Sequence, residues 1–271
     1  MKGIGSMKAF EMIDEENSIS VGTLLYFETA LEYIIELRDD LDEWTAPLLF
    51  SRFVKDNTYT IPAGISLMWI RERVIPPSRQ NINSILATHK LKEYDEMRLL
   101  ELSHARCSQD GIYIRRLDAL PEYVITRAKK NVRDCTVSER GYLICLFADD
   151  TIKKIDLNKW PDADTSQKIL KNHDLLMSGH VGTGGYSVRF DTSTDLPAAK
   201  LYQEGETVPL KIDDFLGFIR NNVIDAAQCC DMLECTRQNI SYLVSKDRLT
   251  PVKENVKGNL YLKGDILANT W

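Results

Sequence analysis

The sequence has no stretch near the roughly 18 to 20 continuous apolar residues that a bilayer-spanning helix requires, and its first residues lack the apolar core of a secretory signal. A cytoplasmic protein with no membrane partner is therefore expected. Paired C-x-x-C spacing is absent from the six cysteines, Cys107, Cys135, Cys145, Cys229, Cys230 and Cys235. That argues against a zinc ribbon or a disulfide framework and predicts mostly buried thiols. The glycine cluster at 182, 184 and 185 lacks the Lys-Ser/Thr ending of a phosphate loop and is followed by a strand pattern instead of a helix, so a flexible turn is expected there. A cationic excess is missing too: 34 Lys and Arg stand against 40 Asp and Glu, a net charge of −6, unlike a nonspecific nucleic-acid coat protein. No cofactor and no metal are implied. Met7 offers an alternative start, with residues 1–6 expected to add nothing to the fold.

At 271 residues, two or three modules are expected, each able to bury its own core. The most informative segment is 224–244. Asp225 and Gln228 stand at capping-box spacing and mark the start of one short helix; Thr236 caps a second. Ile240, Leu243 and Val244 form its apolar face, which leaves Arg237, Gln238, Ser241 and Tyr242 for other faces. Two capped helices meeting at a tight turn read as a helix-turn-helix, whose second helix presents its first residues to base edges in the major groove. A strand over 248–253, a turn over 256–259 and a return strand over 260–263 make a small wing, and Asp265 is placed to cap a final turn from Ile266. From Thr236 to Lys263, Arg237, Lys246, Arg248, Lys253, Lys257 and Lys263 face only Asp247 and Glu254, a local basic excess on an acidic chain.

The order and spacing of these elements resemble the DNA-binding domain of the MerR and excisionase type, a helix-turn-helix followed by a hairpin wing. That family usually has Gly at the inter-helix turn, where Glu234 stands here, and Glu-Ala-Ala where this chain has Gln228-Cys229-Cys230. The resemblance implies DNA contacts from Thr236, Arg237, Gln238, Ser241, Tyr242, Lys246, Lys253 and Lys257, and a homodimer on adjacent half-sites of double-stranded DNA.

Upstream, strands are predicted at 132–137, 142–147, 151–157 and 186–190. The run from Gly141 through Leu157, then 185–190, Asp195-Leu196 and Leu201-Tyr202, resembles a small bacterial β-rich domain of unknown function that is sometimes joined to a helix-turn-helix. A connector helix over 211–222 follows, with Ile212, Phe215, Leu216 and Ile219 on one face and Asp213 as a candidate cap. It has no Pro, Gly or Ser linker, so rigid coupling is expected.

In the first third, strands are predicted at 23–27 and 33–37 and helices at 43–54, 63–72 and 80–88, with Ser78 capping the last. Trp44 and Trp69 are expected as core anchors. The basic turn 71–81, with 91–96 and 108–110, resembles a region of HipA-type toxin-kinase-related proteins of Firmicutes, but the kinase motifs do not follow. Arg71, Arg73 and Arg79 suit phosphate or an acidic partner as well as ion pairs with Glu72, Asp95 or Glu96. His104 and Cys107 are more simply a part-buried His and an inert thiol than a metal pair.

Together these predict an α+β chain: an α+β module over 7–117, a β-rich domain over 118–205, a connector over 206–223 and a winged helix-turn-helix over 224–271. The leading expectation is a non-enzymatic, sequence-specific DNA-binding regulator of phage or toxin-antitoxin type. The alternative is a protein-binding antitoxin or phage-encoded inhibitor whose partner is a bacterial or phage protein. A third reading, an enzyme using His173, His180, Asp174 and the glycine loop, needs convergence that sequence cannot display.

Overall fold

Alternation of apolar residues along Phe10, Met12, Leu24, Ile35 and Leu37 builds a sheet with one face turned to a core. The computed structural model describes residues 7–207, 212–254, 258 and 260–270, with backbone alone for 212, 213, 215 and 216. Helices and antiparallel sheets make an α+β protein, and its contacts fall into two compact units, Met7–Val124 and Ile125–Trp271. The expectations for residues 1–6, for Lys257, for most of the wing turn and for the Ile212, Asp213, Phe215 and Leu216 side chains fall outside what is described.

In the first unit, β1 (Met7–Asp14), β2 (Ile19–Phe27), β3 (Glu32–Leu37), α1 (Ser51–Lys55), β4 (Thr60–Ile61), α2 (Ala63–Arg71), α3 (Ile82–Thr88), α4 (Glu96–Ser103) and β5 (Ile112–Leu117) follow in order. The sheet runs β4-β3-β2-β1-β5, every pairing antiparallel. Trp69 and Ile70 of α2 and Met97 and Leu100 of α4 close its core.

Several expectations need correction. The helix predicted over 43–54 is reduced to Ser51–Lys55. The Asp42 carboxylate accepts from the amides of Trp44 (2.9 Å) and Thr45 (2.8 Å), which closes a turn, and Pro47 has no amide to continue a helix. Trp44 is consequently 85% exposed and Leu48 92%, so of the two expected anchors Trp69 alone lies in a core. Asn81, not Ser78, precedes α3. Strands β1 and β5 were not predicted.

α5 (Glu122–Ala128) carries the chain across the boundary into the second unit, where β6 (Val132–Ser138), β7 (Tyr142–Phe147) and β8 (Ile152–Asp156) form an antiparallel meander close to the predicted strands. Its central strand is apolar throughout because both faces are covered. Leu143, Cys145 and Phe147 pack with α6 (Ala163–Leu170), α7 (His173–Met177), β9 (His180–Val181), β10 (Ser187–Arg189), β11 (Asp195–Pro197) and α8 (Ala198–Glu204). Ile144 and Leu146 turn the other way and meet Phe218 of α9 (Ile212–Asn222), with Leu262 alongside. The glycine turn is packed closely: a side chain at Gly185, whose φ is +73°, would meet Val132 O at 2.4 Å, and Asn131 donates to Gly184 O at 2.9 Å.

The chain then enters β12 (Val223–Ile224), α10 (Ala226–Leu233), α11 (Arg237–Ser245), β13 (Tyr261–Leu262) and α12 (Lys263–Leu267). β13 pairs antiparallel with β12, and Lys253 bridges Leu260 just before it. Asp265 does not cap α12, which starts after Leu262; its carboxylate takes two hydrogen bonds from Arg133 instead, at 2.6 and 2.9 Å. Beside that pair, the Gly264 amide donates to Asp134 at 2.8 Å. α12 is thereby clasped to β6.

Candidate nucleic-acid interface

Local chemistry positions α10 and α11. The Asp225 carboxylate accepts from the amides of Ala227 and Gln228, both at 2.9 Å, while Gln228 Oε1 accepts from Asp225 N at 3.1 Å. This reciprocal box fixes the first residue of α10. At its end, Glu234 adopts a left-handed backbone (φ 48°, ψ 43°), with Cys235 N donating to Cys230 O (3.0 Å) and Glu234 N to Asp231 O (3.4 Å). That double closure turns the chain sharply in the place where glycine is commonest. Thr236 Oγ1 then accepts from Asn239 N at 3.4 Å and opens α11.

The inner face of α11 is held by Ile240 and Leu243, buried among Ile224, Cys229, Leu249, Tyr261 and Ile266. Every predicted contact residue on the helix is exposed: Thr236, Arg237, Gln238, Ser241, Tyr242 and, at the C-terminal end, Lys246. Positions 237, 238, 241, 242 and 245 follow helical spacing, so they form one outward ridge. Ser245, not singled out from sequence, completes it; the i, i+4 relation to Ser241 carries the signal. The Ser241 hydroxyl donates to Arg237 O at 3.1 Å, and Lys246 Nζ stands 5.9 Å from the Tyr242 ring centre. Tyr242 is 52% exposed.

Arg133, Lys154 and Lys168 are each ion-paired, whereas among the described residues no carboxylate lies in ion-pair range of Arg237, Lys246 or Lys253. Lys253 is exposed beside its bridge to Leu260. An outward row of unpaired cations and hydrogen-bonding side chains can take up phosphate oxygens and base edges.

The other sequence candidates do not assemble. His173 sits at the exposed start of α7, and His180 Nδ1 bonds Ser178 O at 2.9 Å. Among the described residues no group of three or more His, Cys, Asp and Glu is arranged for a metal ion. His104 ends α4 in a left-handed conformation, and Cys107 contacts Asp110 at 3.8 Å. The basic trio splits: Arg71 pairs with Glu96 (3.7 Å) and Arg79 bonds Asn81 (3.0 Å), while Arg73 is buried, stacked 3.9 Å from the centre of the Trp69 ring and ion-paired to Asp110. None of the three presents a free row.

Sequence reasoning missed the clasp under α12. Asp134 is 1% exposed, and burial pushes its pKa up to about 6 against the pull of the Gly264 and Cys135 amides. No local motif marks it, because its partner lies 130 residues away. Comparison of the chain with protein-family models, with curated proteins and with solved structures gave no match.

Proposed function

We propose that the chain is a sequence-specific regulator that binds double-stranded DNA, with residues 224–271 acting as a winged helix-turn-helix of the MerR and excisionase type. In this reading α11 enters the major groove, where Arg237 suits guanine and Gln238 adenine. Ser241 and Tyr242 complete the base-facing set, and Lys246, Lys253 and Lys257 take phosphates. The β-rich middle and the α+β first module dimerise the chain or receive a signal, since one small module buries too little DNA surface for useful specificity and two copies would occupy adjacent half-sites.

The observation that carries the reading is the ridge itself: α11 is locked from inside by Ile240 and Leu243, while Arg237, Gln238, Ser241, Tyr242 and Lys246 all face solvent. Selection from a random duplex library is the test. Recovery of a two-part consensus is expected; a pool left unenriched after repeated rounds rejects the proposal.

A second reading has its own support. Trp44 and Leu48, 85% and 92% exposed on the turn after β3, are costly to leave in water and favour a protein-binding antitoxin or phage-encoded inhibitor. Capture of one stoichiometric protein, lost in Trp44→Ser, together with no duplex affinity at low salt, selects it.

A further inference from the structure

Three of the six cysteines lie within seven residues of the turn between α10 and α11, and their surroundings differ. Cys229 is sealed in the core, where burial pushes its pKa up to about 12. Cys230 and Cys235 are half-buried at the margin of the same cluster. The turn brings these two together. With Glu234 left-handed and Cys235 N donating to Cys230 O at 3.0 Å, the residues at the two ends of the closure face each other, the position at which such turns usually carry an apolar side-chain contact. Here both side chains at that position are thiols, close enough to influence each other's charge, and the Cys235 sulfhydryl also leans on Thr236 O at 3.7 Å.

We propose that Cys230 and Cys235 are an oxidisable dithiol, a modification site for hydroperoxides that closes to a disulfide across the turn. The Cys235 thiolate attacks the terminal peroxide oxygen; the O–O bond breaks, the other oxygen takes a proton and leaves as water from hydrogen peroxide or as the alcohol from an organic hydroperoxide, and a sulfenic acid remains. The Cys230 sulfur then displaces hydroxide from that sulfenic acid. The S–S bond forms as the S–O bond breaks, and the Cys230 proton leaves with the hydroxide as water. Two thiols are oxidised and one peroxide is reduced. Burial and the neighbouring thiol raise the pKa of Cys230, partly offset by Arg237, which suits the resolving role better than the attacking one.

Selectivity follows from access. Cys135 and Cys145 face each other across β6 and β7 yet are fully enclosed, and burial pushes the Cys135 thiol up to about 12. Cys107 has no thiol partner among the described residues. The reaction joins α10 to the turn residue immediately before the Thr236 cap of α11, and so fixes the turn that sets the direction of the ridge. The chemical step does not depend on whether α11 reads DNA.

The test is peroxide titration of the full chain followed by alkylation, proteolysis and mass spectrometry. The peptide 221–237 is expected to lose about 2 Da and two alkylatable thiols, reversibly with dithiothreitol. Cys229→Ala should keep this behaviour. Cys230→Ala should abolish the disulfide and leave a dimedone-trappable sulfenic acid on Cys235. A peptide that stays fully alkylatable, a bridge to Cys229, or direct conversion to sulfinic acid overturns the proposal. Loss of duplex affinity without these mass changes, or the changes without any duplex affinity, separates failure of this inference from failure of the DNA reading.

Discussion

Gly264→Ala probes the clasp that ties the C-terminal segment to β6. A side-chain carbon there would fall 1.9 Å from Arg133 O and 2.7 Å from Arg133 C, both backbone atoms that cannot swing aside. α12 must therefore withdraw. Overpacking of this kind costs about 1 to 3 kcal/mol. Withdrawal also stretches the 2.8 Å bond from the Gly264 amide to Asp134, and a buried acceptor deprived of its donor costs a further 1 to 3 kcal/mol or so. The two together give about 2 to 6 kcal/mol, and the midpoint of roughly 4 kcal/mol is a fall of about 8 to 16 °C in Tm for a unit of this size. Gly217→Ala is the control: it lies in α9 with nothing within 4 Å of the added carbon, and should gain roughly 0.5 to 1 kcal/mol. Urea and thermal denaturation followed by circular dichroism read both. A Gly264→Ala protein within about 0.5 kcal/mol of wild type would refute the reasoning, because it would mean that α12 does not rest on β6.

Three further outcomes are expected. Arg73→Ala removes a buried guanidinium that stacks on Trp69 and pairs with Asp110, and should cost about 2 to 4 kcal/mol in urea denaturation, with Arg73→Met losing less because the stacked volume is kept. Burial raises the folded-state pKa of Asp134 to about 6, above the ordinary 3.8 of an exposed aspartate, so the fold favours its protonated form; its contribution is complete below about pH 4 and is lost as pH rises through 6. Asp134→Asn should abolish that component, on the order of 3 kcal/mol, in the difference between wild-type and variant stability across the window. A difference flat with pH would contradict it. Glu234→Gly relieves a left-handed backbone in a residue with a side chain and should raise stability by up to about 1 kcal/mol; a loss would show that the Glu234 side chain contributes more than its backbone strain costs.

Local chemistry was the legible part of this chain. Asp225, Gln228 and Thr236 announce their helices because caps act within three residues, and 142–147 announces a strand because both sides of the pleat are apolar. The same locality explains the errors. Asp42 followed by apolar residues looks like a helix start until Pro47 is weighed against it, and Trp44 looks like core to any rule that ranks residues by apolarity alone. β1 was hidden because Lys8, Glu11 and Asp14 alternate with its apolar residues less cleanly than the period-two rule requires. Arg73 and Asp134 could not be found, since their environments are built by Asp110 and Gly264, remote in sequence. The ridge on α11 was readable because three inward residues, Ile240, Leu243 and Val244, define the outward set by exclusion.

The most direct measurement of the central claim is fluorescence anisotropy of a selected duplex titrated with wild-type, Arg237→Ala and Lys246→Ala protein over a range of salt. The account predicts that Arg237→Ala weakens the selected duplex by about 1 to 3 kcal/mol while barely changing a scrambled one, and that Lys246→Ala weakens both and lowers the salt slope by about one. Equal binding of selected and scrambled duplexes by all three proteins would contradict it.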